Sequence, residues 1–125
     1  MAGSDEIQIL DLAAGPELAI VDGEGAARAV VWPGVGATLR SLHTISLAAA
    51  AHTVKLSHPS EAVYYVASGT GTAIDRASGE EHELVTGAMV HIDAGTPYVL
   101  RAGTGGLELM GGPAPADERL YEGDS

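Results

Sequence analysis

The sequence predicts an all-β fold, an antiparallel sandwich or barrel of about eleven short strands in one domain. Three observations predict it. Short runs of Val, Ile, Leu, Thr and Tyr recur along the chain, each closed by Gly, Pro, Asp or Ser. The composition, with 17 Gly, 6 Pro, one Trp and no Phe, favours aliphatic packing and many turns. No segment carries a helical apolar stripe longer than two turns.

The elements follow in order. "IQIL" at 7–10, flanked by acids, suits an edge strand. Strands are expected at 18–21, 26–32 and 38–47. "LAAAAH" at 47–52 has helix propensity, but it is short and reads as a strand end and turn. Further strands are expected at 53–58, 62–67, 71–75, 81–85, 88–92, 97–102 and 106–110. The domain is placed at 1–112. Residues 113–125, "PAPADERLYEGDS", are acidic and rich in Pro and Gly and are expected to form an extended or poorly ordered tail. The start, "GSDE", is polar as well.

Composition excludes several functions. A length of 125 residues suits one core, and 46% hydrophobic residues can fill it. The net charge of −11, from 17 acids and 6 bases, repels phosphate backbones and anionic lipid. Nucleic-acid and membrane partners are not expected. With no Cys there is no disulfide, thiolate metal site or cysteine nucleophile. The N-terminus does not read as a signal peptide, and no run reaches the ~18 apolar residues of a membrane span. A cytoplasmic protein is expected.

Alternation sorts the polar residues between faces. In 53–58, Lys55 must reach water, which sets Thr53, Lys55 and Ser57 outward and Val54, Leu56 and His58 inward. In 38–47, Arg40 marks the outer face, so Leu39, His43, Ile45 and Leu47 turn inward. In 97–102, Arg101 lies outside and Tyr98 and Leu100 inside. In 88–92, Ala88, Val90 and Ile92 share the apolar face and His91 the wetter one. In 62–67 both Tyr64 and Tyr65 are candidates for burial. His43, His58, Tyr98 and Tyr64 thus form a candidate inner set. Taken singly, an inward His or Tyr is often a satisfied structural residue. An unpaired polar group there costs about 1–3 kcal/mol, so the four must bond to one another or line a pocket. His52, His82, His91 and Glu61 read as surface residues.

Two patterns now resemble the motifs of small single-domain cupins, proteins with a conserved double-stranded β-helix or jelly-roll barrel. "SHPSEAVYYVASGTG" is similar to the end of the first motif, with Gly69 as its closing glycine. "TGAMVHIDAGTPYVLRA" is similar to the second, with Gly87 and Gly95 in place. The resemblance covers about 36–110. It implies turns of positive φ at these glycines. The family's metal ligands are mostly replaced. Leu56 stands at the first histidine, His58 at the second, Ala62 at the glutamate with Glu61 one residue early, and Tyr98 at the second-motif histidine. Ala50 replaces the opening glycine, Asp93 the proline and Ala102 the asparagine. The resemblance also implies a homodimer.

Three functions follow. The first is a metal-independent isomerase, epimerase, lyase or cyclase without a cofactor, acting on a small polar organic molecule. His58 would be the general base, Tyr98 or Tyr64 would donate to a developing oxyanion, and His43 would orient or relay. No carboxylate that orients His58 is evident. The second is a non-catalytic domain that binds or senses a small ligand. The third is a metal-dependent, dioxygenase-like cupin with one divalent ion such as Zn, Fe, Mn or Ni. Its rearranged ligands would be His58 with His52, Glu61, His43 or Tyr98.

Overall fold

A computed structural model describes residues 7–122 of the chain. The strands are β1 (Glu17–Leu18), β2 (Val21–Asp22), β3 (Gly25–Val31), β4 (Leu42–Leu47), β5 (His52–Thr53), β6 (Glu61–Asp75), β7 (Glu81–Leu84), β8 (Met89–Ile92) and β9 (Tyr98–Ala114). All pairings are antiparallel, and a jelly-roll barrel results. Its first wall runs β1-β3-β4-β9-β6-β8 and its second β2-β5-β9-β6-β7.

The two walls share β6 and β9, which are 15 and 17 residues long. The first half of β6 pairs with β8 and the end of β9, and its second half with β7 and the start of β9. The strands bend where the register shifts, between Val66 and Ser68 and between Gly69 and Gly71. Gly69 takes φ +91° there, and a Cβ on it would lie 2.2 Å from the Gly106 carbonyl oxygen. Only glycine lets the two backbones cross so closely. The sequence predicts two strands in each of these regions, because Gly-Thr-Gly and Gly-Thr-Gly-Gly read as turns; here they are bends inside continuous strands.

The core is aliphatic. Ile45, Leu47, Val66, Leu100, Leu107 and Leu109 are almost free of solvent. Each fully buried Leu or Ile stabilises the fold by roughly 2 kcal/mol. In β4 the alternation is as expected, with His43, Ile45 and Leu47 buried. Leu39 departs from it and is exposed, because the strand starts only at Leu42 and Ser41 takes the buried position before it.

Other elements also differ from expectation. Residues 7–10 form no strand, and Ile7 and Ile9 are exposed. The alternation of 53–58 breaks after β5. Thr53 is buried and Val54 exposed, because the Thr53 hydroxyl accepts a bond from the Leu100 backbone N–H at 3.1 Å. Leu56 and His58 are nevertheless inside. The expected tail departs most. β9 continues to Ala114, and a 3-10 turn at Glu118–Tyr121 folds back onto the barrel. Its physical cause is the burial of Asp117 and the packing of a half-buried Tyr121 against the core, described below. "GSDE" and residues 123–125 lie outside the described residues. Among the described residues, no helix is long and apolar enough to cross a membrane.

The motif glycines behave as the resemblance implies: Gly69, Gly87 and Gly95 have φ of 91°, 92° and 81°. Ala50, standing at the opening glycine, keeps the left-handed conformation with φ 67°. A Cβ there is unfavourable by roughly 1 kcal/mol. Ala50→Gly is expected to raise stability by about 1 kcal/mol, less the extra freedom gained by the unfolded chain. Urea unfolding measures it, and a lowered midpoint would show that this turn holds no strain.

Candidate functional site

Four elements carry polar side chains into the barrel. β4 presents His43, the segment after β5 presents His58, β6 presents Tyr64 and β9 presents Tyr98. All four are buried, the most exposed retaining 3% of its surface. Tyr65 points outward, which resolves the ambiguity in that strand. The β9 positions follow the charge rule, with Tyr98 and Leu100 in and Arg101 out.

Three of the predicted residues form one chain. The His58 Nε2 lies 2.7 Å from the Tyr98 hydroxyl, and the Tyr98 and Tyr64 hydroxyls are 2.6 Å apart. The chain continues to a residue that the sequence reading missed: His58 Nδ1 is 2.8 Å from Asp117 Oδ2. Asp117 is itself buried, and Arg119 grips it, with Nη2 donating to Oδ2 at 2.8 Å and Nε to Oδ1 at 3.0 Å. Arg119 also donates to the Ser57 carbonyl oxygen at 2.7 Å, which fixes the turn above His58.

The donors can be ordered. Burial raises the Asp117 pKa, but the hydrogen bonds from Arg119 and His58 outweigh it and hold the carboxyl at about 2. An ionised carboxylate only accepts, so His58 Nδ1–H donates to it. Burial lowers the His58 pKa despite the raising effect of Asp117, so the ring is neutral and its Nε2 accepts from Tyr98. Tyr98 then accepts from Tyr64. Burial pushes Tyr64 up to about 12, and burial together with Tyr64 raises Tyr98 further still. Both phenols stay protonated.

His43 stands apart from this chain. Its Nε2 meets the Tyr121 hydroxyl at 2.7 Å, and Tyr121 packs on Trp32 with ring centroids 5.1 Å apart. Burial, and then the neighbouring His58, lower the His43 pKa to about 4. The turn bearing Asp117 and Tyr121 thus plugs the interior at both histidines. One signal for it was present in the sequence. Asp117 precedes Glu-Arg-Leu-Tyr, a helix-capping pattern, and it accepts the Arg119 N–H as a cap at 3.1 Å. Leu120 and Tyr121 are an apolar pair in polar surroundings.

The residues do not fit the metal that the fold family implies. Leu56 and Ala62 have no donor atoms, and both ring nitrogens of His58 are already bonded. Of the alternative ligands, Tyr98 meets His58 only by a hydrogen bond, and His52 and Glu61 do not converge on it. His52 sits outside, 3.8 Å from Asp22, and Glu61 lies outside, 3.3 Å from His91. Among the described residues no group of three His, Cys, Asp or Glu side chains could hold an ion. Nor does any buried side-chain nitrogen or oxygen lack a partner among them.

Beside this chain a cleft of about 370 Å³ opens between the end of β6, β7 and β8, with Tyr98 of β9 in its wall. Leu84, Val90, Ile92 and Tyr98 form its apolar wall, with Asp75 and Thr96 at the edge. Tyr98 lines this cleft and is hydrogen-bonded to His58.

This jelly roll, with two long strands shared between its walls, is similar to solved cupin structures over most of its length, and this chain has the cupin fold. Similar solved structures include a cupin-like protein from Thermotoga maritima, 18% identical, with a TM-score of 0.68 over 95% of this chain and 99% of that one. An RmlC-like cupin from Shewanella frigidimarina is 15% identical, with a TM-score of 0.70 over 90% and 96%. The polyketide cyclase RemF from Streptomyces resistomycificus is 19% identical, with a TM-score of 0.64 over 87% and 74%. No family model and no curated protein matches the sequence.

Two predictions follow from the site. Between pH 6.5 and about 4 the unfolded chain takes up a proton at His43 that the folded protein refuses. Stability is fully present above pH 6.5 and falls with pH, by about 3 kcal/mol from His43 alone. Urea midpoints of His43→Gln should fall less steeply over this range, and parallel curves would remove the assignment. Asp117→Ala leaves the His58 N–H without its acceptor and should destabilise by about 3 kcal/mol. A loss under 1 kcal/mol in thermal unfolding would mean that the turn does not hold the interior.

Proposed function

We propose that this barrel is a metal-independent enzyme that moves a proton within a small polar organic molecule, in isomerisation, epimerisation, lyase or cyclisation chemistry. The observation that carries this reading is the His58–Tyr98 hydrogen bond at the wall of the cleft, backed by Asp117. A substrate in the cleft meets the Tyr98 oxygen. As the substrate gives its proton to that oxygen, Tyr98 passes its own to His58 Nε2. The resulting imidazolium carries its second proton toward Asp117, which stabilises the charge. Return of a proton by the same route to a different substrate atom completes the reaction without any oxidant or reductant.

The raised Tyr98 pKa suits this relay. The phenol gains a proton as it loses one and never stands as a free phenolate. Tyr64 steadies the Tyr98 oxygen, and His43, held by Tyr121, shapes the interior at some remove from the proton path. The similarity to a polyketide cyclase is compatible with cyclisation chemistry, at the level of the fold. The reading includes a cytoplasmic homodimer. The outer face of the first wall, with Val63, Tyr65 and Met89 exposed, offers it an apolar surface.

A second reading, a non-catalytic binder or sensor of a small ligand, draws on the complete pairing of the buried polar atoms. Turnover separates the two. Small hydroxy and carbonyl acids and sugars are screened for thermal stabilisation, where a ligand at a hundred times its Kd adds ~2.7 kcal/mol. Each hit is then tested for conversion. His58→Ala and Tyr98→Phe are expected to lower kcat by about a hundredfold or more while ligand affinity changes little. Full turnover in His58→Ala would overturn the proton relay, and stabilising ligands that are never converted would favour the binder.

A further inference from the structure

The chain has only 6 bases against 17 acids, and they are not evenly spread. Three of them, Lys55, Arg76 and Arg101, line one depression of about 390 Å³ on the outer face of the second wall. Strand register builds this cluster. His52 and Arg101 are direct partners across β5 and β9, while Ile74 and Val99 are partners across β6 and β9. Arg76 follows at the end of β6, where its backbone N–H bonds to Pro97. Lys55 follows β5. The floor between the cations is apolar, made by Val54, Ile74 and Val99.

The cations are poorly neutralised. Arg101 reaches Glu81 only at 3.5 Å, and Asp22 is the single acid lining the depression, 3.8 Å from His52. Among the described residues neither Lys55 nor Arg76 pairs with a carboxylate. Like charges brought together repel, and 17 acids were available to relieve them. Two planar guanidinium groups and an ammonium on one concave face make a site suited to oxygens that share negative charge.

We infer that this face binds a small organic molecule bearing a multivalent oxyanion, a phosphate or a pair of carboxylates, whose apolar part lies on Val54, Ile74 and Val99. The site is separate from the interior, since Tyr98 points inward from β9 while Val99 and Arg101 point outward. It does not depend on the proton relay. A net charge of −11 repels anions at a distance, so binding requires this local concentration of bases and weakens as salt screens it.

The test is a nuclear magnetic resonance titration of the full chain at low ionic strength with pyrophosphate and, separately, with citrate. Saturable shifts are expected at residues 52–55, 74–76 and 97–101. Lys55→Gln and Arg76→Gln should each weaken the binding by roughly tenfold. Arg40→Gln removes the same charge elsewhere and should leave binding within about twofold, since its screened field reaches the site weakly. Saturation by pyrophosphate alone identifies a phosphate site, and saturation by citrate alone a carboxylate site. Absence of saturation by about 10 mM of either anion, shifts scattered over the surface, or equal weakening by Arg40→Gln would overturn the inference.

Discussion

The hydrogen bond between Asp117 and His58 is the interaction on which the interior depends. A carboxylate buried without partners would take up a proton or draw in water. Here three bonds from Arg119 and one from His58 keep it charged, and the charge fixes everything beyond it. It assigns the His58 tautomer, turns Nε2 toward Tyr98, and so sets the direction of the Tyr64–Tyr98 bond. It also explains the path of the chain after Ala114. The turn must fold back to deliver Asp117, and Tyr121 then reaches His43 from the same turn.

The same bond accounts for the altered motif. In a metal-holding barrel of this fold, ligands are arranged around a cation. In this chain a carboxylate 59 positions beyond His58 takes over the organising role. Tyr98 occupies the slot of a histidine ligand and still reaches toward the centre, but it presents a hydroxyl to His58. Leu56 and Ala62 fill the two other slots with apolar volume, and both are buried. Proton positions are thus controlled by hydrogen bonds, with the imidazole doubly engaged.

Much of this was legible where charge marks an outer face. Arg101 and Lys55 each identified an inward neighbour, and the glycine spacing gave the fold. Alternation failed where the strand itself fails. Thr53 turned inward because its hydroxyl accepts the Leu100 N–H, and Leu39 turned outward because β4 had not begun. The bends at Gly69 and Gly106 carry the residues of true turns, and only the partner strand shows that pairing resumes on both sides of them. Asp117 was hidden for a different reason. It is 59 positions from its partner, in a segment whose composition is that of a solvated tail. One buried carboxylate and one ring outweigh that composition, and no local pattern reports a contact of such range.

The distribution of charge then narrows what the interior can accept. His43 and His58 are neutral and the phenols are protonated, and among the described residues no Lys or Arg lines the cleft. The guanidinium of Arg119, largely exposed, is committed to Asp117. A substrate that carries full negative charge would lose its hydration there and gain little in return. A substrate that enters neutral and acquires charge only as its proton moves to His58 meets an imidazole already aligned with a carboxylate. That arrangement stabilises the transferred proton more than the starting state, which is the condition for lowering a barrier. The bases that could hold a charged group lie on the opposite face of the same strands, so on this reading proton transfer and anion recognition are assigned to different sides of one wall.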